Sequence, residues 1–175
     1  MKGRDLMKIK KMVALICIFS LMISLNVHAY NYTGYRWEKT SIQYYYTNSI
    51  FATGAAAWSG LDAKLSYGST YYDINCYTVS SPNAAWDGIS YIGHDMLYIN
   101  SVTININTAA SKTWNNSNAV KSVVAHEFGH ALGLDENGST RTIMNDHTWG
   151  TNSRYETYKL TTPQSDDKTG INAIY

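Results

Sequence analysis

The chain has 175 residues, enough to bury one hydrophobic core and too few for two ordinary domains side by side. Charged residues make up only 15% of it, against a usual quarter, so the polar surface falls to Asn, Ser, Thr and 15 Tyr, a balance that suits an extracellular protein. The formal net charge of +1 leaves no basic excess of the kind nucleic-acid binding requires.

The first 29 residues read as a targeting segment. Lys2, Arg4, Lys8, Lys10 and Lys11 form a basic start, Met12 to Val27 is an apolar run, and Val27-His28-Ala29 places small residues where a signal peptidase cuts. Cleavage there would make Tyr30 the new N-terminus and the product a secreted protein without stable membrane association. A retained anchor is the alternative, but the run is short for a spanning helix and ends in Asn and His. Removing residues 1–29 takes five basic residues and one acidic one, leaving nine against twelve and a net charge near −3. Only Cys76 then remains, so no internal disulfide can form, and stability must come from packing and bound metal.

In chain order, Ser41 to Tyr46 alternates with Ile42, Tyr44 and Tyr46 on one face, which predicts a half-buried strand. From Ile50 to Leu65 the alanines recur with Phe51, Trp58 and Leu61 at helical spacing behind Ser49, and a helix is expected. The Ser, Gly, Asn and Pro between Gly68 and Ala84 predict loops around a short strand, Ile74 to Val79. Ser101 to Thr108 alternates cleanly with Val102, Ile104 and Ile106 inward and makes the best strand of the chain. Asn115, Asn116 and Ser117 offer caps for a helix from about Asn118 to Leu132, bearing Val120, Val123, Val124 and Phe128. Asn137-Gly138-Ser139 is a turn. The tail from Thr162-Pro163 to Tyr175 predicts a closing helix, with Pro163 near its first position and Asp166 and Asp167 in its first turn. Periodicity alone thus gives an α+β class.

The chemistry lies on the helix of residues 118–132. His126 and His130 are four apart, so their side chains share a face about 5–6 Å from each other, and two imidazoles can converge on one zinc. Glu127 projects beside them. A zinc with an open position acidifies its bound water to a pKa of about 7, and an adjacent carboxylate can take the proton as water attacks a carbonyl. Gly133 is the kind of residue that ends a helix in a left-handed turn and would swing the chain back toward the metal. Met144 follows in Thr142-Ile143-Met144-Asn145.

These residues resemble the core of the metzincin zinc proteases, and most closely the matrixins. Ala125 to Asp135, A-H-E-F-G-H-A-L-G-L-D, is similar to the family's active-site helix, Met144 to its methionine turn, Arg36 to Thr40 with the strand after it to the domain's opening, and Gln164 to Tyr175 to its final helix. The resemblance implies a zincin fold: a twisted mixed sheet with two long helices, an upper subdomain of about residues 30–133 and a small lower one of about 134–175. It implies one catalytic zinc, Glu127 as general base, and an extended peptide as substrate of a monomer.

The sequence departs from the family at four points. Glu136 stands where the family has its third histidine. No room exists between Ala29 and Trp37 for an inhibitory propeptide, and Asp73-Ile74-Asn75-Cys76-Tyr77 is unlike that propeptide's cysteine motif. The histidines of a structural zinc and the acidic calcium loops are reduced to His94, Asp95 and Asp87-Gly88, so calcium and a second zinc stay open. Asn145-Asp146 follows Met144 where some branches carry a tyrosine. Zinc accepts carboxylate oxygen at about 2.0–2.2 Å as well as imidazole, so Glu136 is expected as the third ligand, with Asp135, His147 and, in another branch, Glu156 as alternatives. The sequence therefore reads as a secreted zinc endopeptidase; the alternative is a secreted binding module that kept the fold with weakened catalysis.

Overall fold

A computed structural model describes residues 30–69, 72–138 and 140–175; the expected signal peptide, and Ser139 of the expected turn, lie outside them. The described residues build seven strands and four helices in mixed order, α and β in one unit. Strands β2 (Ser41–Tyr46), β3 (Lys64–Tyr67), β4 (Ile74–Val79), β5 (Gly88–Asp95) and β6 (Tyr98–Asn107) form a five-stranded sheet in the order β3-β2-β4-β6-β5. The first four of these run parallel, with Tyr44 opposite Ile74 and Ile74 opposite Val102, and β5 closes the edge antiparallel to β6, making the sheet mixed.

The alternation read in β2 and β6 is what fixes their facing, and β4, expected only as a short strand, turns Ile74 and Cys76 to the same side. Ile42, Ile74, Cys76, Val102, Ile104 and Ile106 are all fully buried. Upon this face lie α1 (Ile50–Ala56) and the 15-residue α3 (Ser117–Ala131), which contact each other closely. Gly54 makes that contact: a Cβ there would overlap the Val124 side chain. Asn116 caps α3, its Oδ1 accepting from the Ala119 amide at 3.1 Å, a bond of the kind worth about 1 kcal/mol. A short α2 (Ser111–Trp114) precedes it, and α4 (Ser165–Ile174) closes the chain.

Several expectations need correction. The helix expected to Leu65 stops at Ala56, because Trp58 is drawn into the core, its Nε1 donating to the Ala125 carbonyl at 2.9 Å, and Gly60 then turns the chain at φ 80° into edge strand β3. Ser49 gives no side-chain cap. The closing helix starts at Ser165, two residues past Pro163, because the Asp167 carboxylate accepts from the Gln164 amide at 2.7 Å and fixes Gln164 as the cap. Strand β5 carries Ser, Gly, His and Asp and has a register shift at Gly93/His94, so no alternation announced it. Also unforeseen is a two-stranded ribbon in which β1 (Asn31–Tyr32) pairs with β7 (Leu134–Asp135), bringing the start of the described chain against the segment just after α3.

Candidate metal centre

Helix α3 runs behind the cleft with His126, Glu127 and His130 on it. His126 is 3% exposed and its Nδ1–H donates to the Ile143 carbonyl at 2.9 Å; the Nδ1–H of His130 donates to the Leu134 carbonyl at 2.9 Å. A carbonyl only accepts, so in the neutral ring each hydrogen bond fixes the tautomer that leaves Nε2 unprotonated. The two Nε2 atoms face each other at 3.0 Å, and Oε1 of Glu136 lies 3.4 Å from both.

Three acceptors aimed at one point repel unless a cation sits among them. Bonds of about 2.0–2.1 Å in tetrahedral geometry put ligand atoms roughly 3.3 Å apart, so this triangle fits zinc in size as well as in donor type. Without a metal the same groups act on one another as proton sites. Burial works against a His130 cation, but hydrogen bonding to Glu136 and the charge of Glu127 overcome it and hold its pKa at about 9. Burial, with Arg154 nearby, pushes His126 down. Burial would raise Glu136, but the two imidazoles hold its carboxyl well below the usual range.

The remaining sequence candidates fall around this triangle. Gly133 takes φ 99°, and a Cβ there would lie 2.6 Å from the Tyr35 carbonyl oxygen, so only glycine makes the reversal that carries the chain from α3 into β7. Thr33 secures that reversal, its amide and hydroxyl donating to the Gly133 carbonyl at 3.0 and 2.9 Å. Asn31 Nδ2 donates to the Glu136 carbonyl at 2.6 Å. Asp135 turns aside, its Oδ1 accepting from the Glu136 amide at 2.8 Å. His147 lines the cleft without joining the triangle, and Glu156 is tied to Lys112 and the Gly150 amide. Among the described residues, His126, His130 and Glu136 are the one group of three with converging ligand atoms. His94 instead stacks on Tyr35 with ring centroids 3.6 Å apart.

Met144 is buried beneath the histidines against Gly129, where a Cβ would overlap its sulfur. Its turn is held from α4: Asp167 accepts from the Ile143 amide at 2.9 Å and the Met144 amide at 3.3 Å. The sequence read Asp167 as a helix-start acid, which it is, but it is also a buried clamp that keeps the Ile143 carbonyl under His126. Glu127 is 3% exposed; Ser90 on β5 donates to its Oε2 at 2.7 Å and lies 3.1 Å from its carbonyl. No hydrogen bond among the described residues engages Glu127 Oε1. The cleft over these groups has a volume of about 560 Å³ and is also walled by residues 85–90, 146–149 and Arg154.

Two histidines on one helix, a glycine reversal that leads to a third acceptor and a buried methionine turn are the parts of a metzincin site, and the matrixin family model matches residues 37–175. The chain belongs to the matrixin family. A chain of the solved structure described as the GM1-bound form of the ECX AB5 holotoxin is similar in fold, with a TM-score of 0.61 over 84% of this chain and 88% of that one. At 13% identity that likeness concerns fold alone. No curated protein matches the sequence. For this matrixin the family implies a zinc metallopeptidase fold and zinc as the metal, and His126, His130 and Glu136 are the donor set that fits it.

Proposed function

We propose that this matrixin is a secreted, monomeric zinc endopeptidase that hydrolyses extended peptides, with His126, His130 and Glu136 as zinc ligands and Glu127 as general base. The observation that carries this reading is the acceptor triangle with the Glu127 carboxylate beside it in one open cleft. Zinc held there would polarise the peptide carbonyl and acidify water. Glu127 has one oxygen oriented by Ser90, and Oε1 is left to take a proton from the attacking water and return it to the departing amine. The buried wall of α3 and the Met144 turn fix the imidazoles, so the site needs little rearrangement to act.

A second reading is a secreted binding module with weak or no catalysis. It is favoured by one observation, that the third acceptor is a carboxylate 43% exposed where the family has an imidazole. Metal analysis of the purified protein, followed by cleavage of a peptide library, separates the two. One bound zinc per chain with cleavage abolished by a chelator and restored by zinc supports the endopeptidase. Stoichiometric zinc with no cleavage of any library member would favour the module.

A further inference from the structure

We propose, resting on the endopeptidase reading, that the preferred substrates carry an acidic side chain, aspartate or glutamate, next to the bond that is cut, and that Arg154 selects it. Arg154 lines the same cleft as His126 and Glu127, yet is only 3% exposed. Its Nη1 donates to the Asn145 carbonyl at 2.7 Å and its Nη2 to Thr148 Oγ1 at 2.8 Å. Both acceptors are neutral. Its Nε is buried without a hydrogen-bond partner, and among the described residues no carboxylate lies within 4.0 Å of the guanidinium.

A buried cation normally has an anion against it, and a guanidinium cannot escape the cost by giving up its proton. Glu127, Glu136, Asp87 and Asp146 act on Arg154 only at longer range. The first is held by Ser90 and the second by the imidazoles. The two hydrogen bonds tie the guanidinium to residues 145 and 148, the segment immediately after Met144, so the fork is fixed in the cleft wall before any ligand arrives. A carboxylate matches such a fork in charge and shape. An amide brings an oxygen without the charge, an apolar group leaves the fork unsatisfied, and a lysine adds a like charge.

The test uses the full-length, zinc-loaded protein and peptides identical except for Glu, Gln, Leu or Lys at one position beside the cleaved bond. Binding is measured on the Glu127→Ala variant, which holds peptides uncut, and cleavage on the unaltered protein. The Glu peptide should bind about tenfold or more tightly than the Gln peptide, as expected for a charge-assisted pair with a buried guanidinium. Arg154→Gln should bring that ratio near one, and Arg154→Lys should retain part of it. Equal binding of the Glu and Gln peptides, tighter binding of Leu or Lys, or no binding of any peptide overturns the proposal. The peptide comparison needs no Arg154 variant, so misfolding of Arg154→Gln does not blunt it. Selective binding with nothing cut would leave the selectivity standing and sink the endopeptidase reading; cleavage without discrimination would do the reverse.

Discussion

The two sides of the metal triangle are built differently. His126 and His130 sit on a 15-residue helix packed into the core, and each has its second ring nitrogen hydrogen-bonded to a backbone carbonyl. Glu136 follows a two-residue strand, is 43% exposed, and is placed by Gly133, Thr33 and Asn31. Where packing fixes a ligand, its direction is set by the fold. Where a thin ribbon fixes it, the direction depends on a few hydrogen bonds, and this is the side on which the chain departs from its family.

The largest expected effect lies on the packed side. Glu127→Ala should lower peptide cleavage by at least about 10²–10⁴-fold while zinc stays bound, because only the proton carrier is lost. Activity surviving within tenfold would remove Glu127 from that role. Zinc binding itself then compares the two sides. His126→Ala should abolish zinc uptake, whereas Glu136→Ala should weaken it along with activity, and Glu136→His should keep the metal. An anionic ligand makes zinc less electrophilic than a third imidazole, so the His variant should shift the activity profile to lower pH. Full zinc occupancy and full activity in Glu136→Ala would send the search for the third ligand to Asp135 or His147.

Glycine substitutions separate the sides by stability. Gly129→Ala forces a Cβ into the Met144 sulfur beneath the histidines, an overpacking of the kind that costs about 1–3 kcal/mol. Gly133→Ala places a side chain at φ 99° and 2.6 Å from a backbone oxygen that cannot swing aside, so thermal melting should fall at least as far, and zinc affinity with it. Equal zinc affinity in Gly133→Ala and the parent would mean that the reversal does not set Glu136.

The same contrast explains what the sequence disclosed. Helix α3, expected over about 118–132, spans 117–131, because its apolar spacing, its Asn cap and its packing agree. Strand β6 and the pair His126 and His130 were legible for the same reason: the local pattern and the tertiary fold ask for the same conformation. The family expectation was also sound, since its motifs lie on such elements. Legibility failed where tertiary contact overruled local pattern. Trp58 ends α1 early to reach the Ala125 carbonyl, and edge strand β5, which supplies Ser90 to Glu127, has no alternation to read. Arg154 sits in Asn152-Ser153-Arg154-Tyr155, a run that looks like solvated loop, and only the closure of the chain over it makes it buried. Nothing local marks it.

The smallest effect tests whether the ribbon side is held by charge when zinc is removed. In chelator-treated protein the His130 pKa is held at about 9 against an ordinary 6.5, and Glu136 lies below its ordinary 4.5, each group stabilising the other's charged form. A raised histidine contributes stability that is complete below about pH 6.5 and lost as pH climbs through about 9. A depressed carboxylate contributes stability that is complete above about pH 4.5 and lost as pH falls toward its folded value. The pair is therefore strongest between roughly pH 4.5 and 6.5. Because Glu136 is 43% exposed, solvent screening reduces the contribution to about 1 kcal/mol, which corresponds to roughly 2–4 °C in melting temperature. Glu136→Gln should thus melt a few degrees below the parent at pH 6, and the gap should close by pH 10, both proteins being kept free of zinc. A gap that is constant with pH would show that Glu136 is held by the backbone bonds of the ribbon alone, and that the two sides of the triangle meet only through the metal.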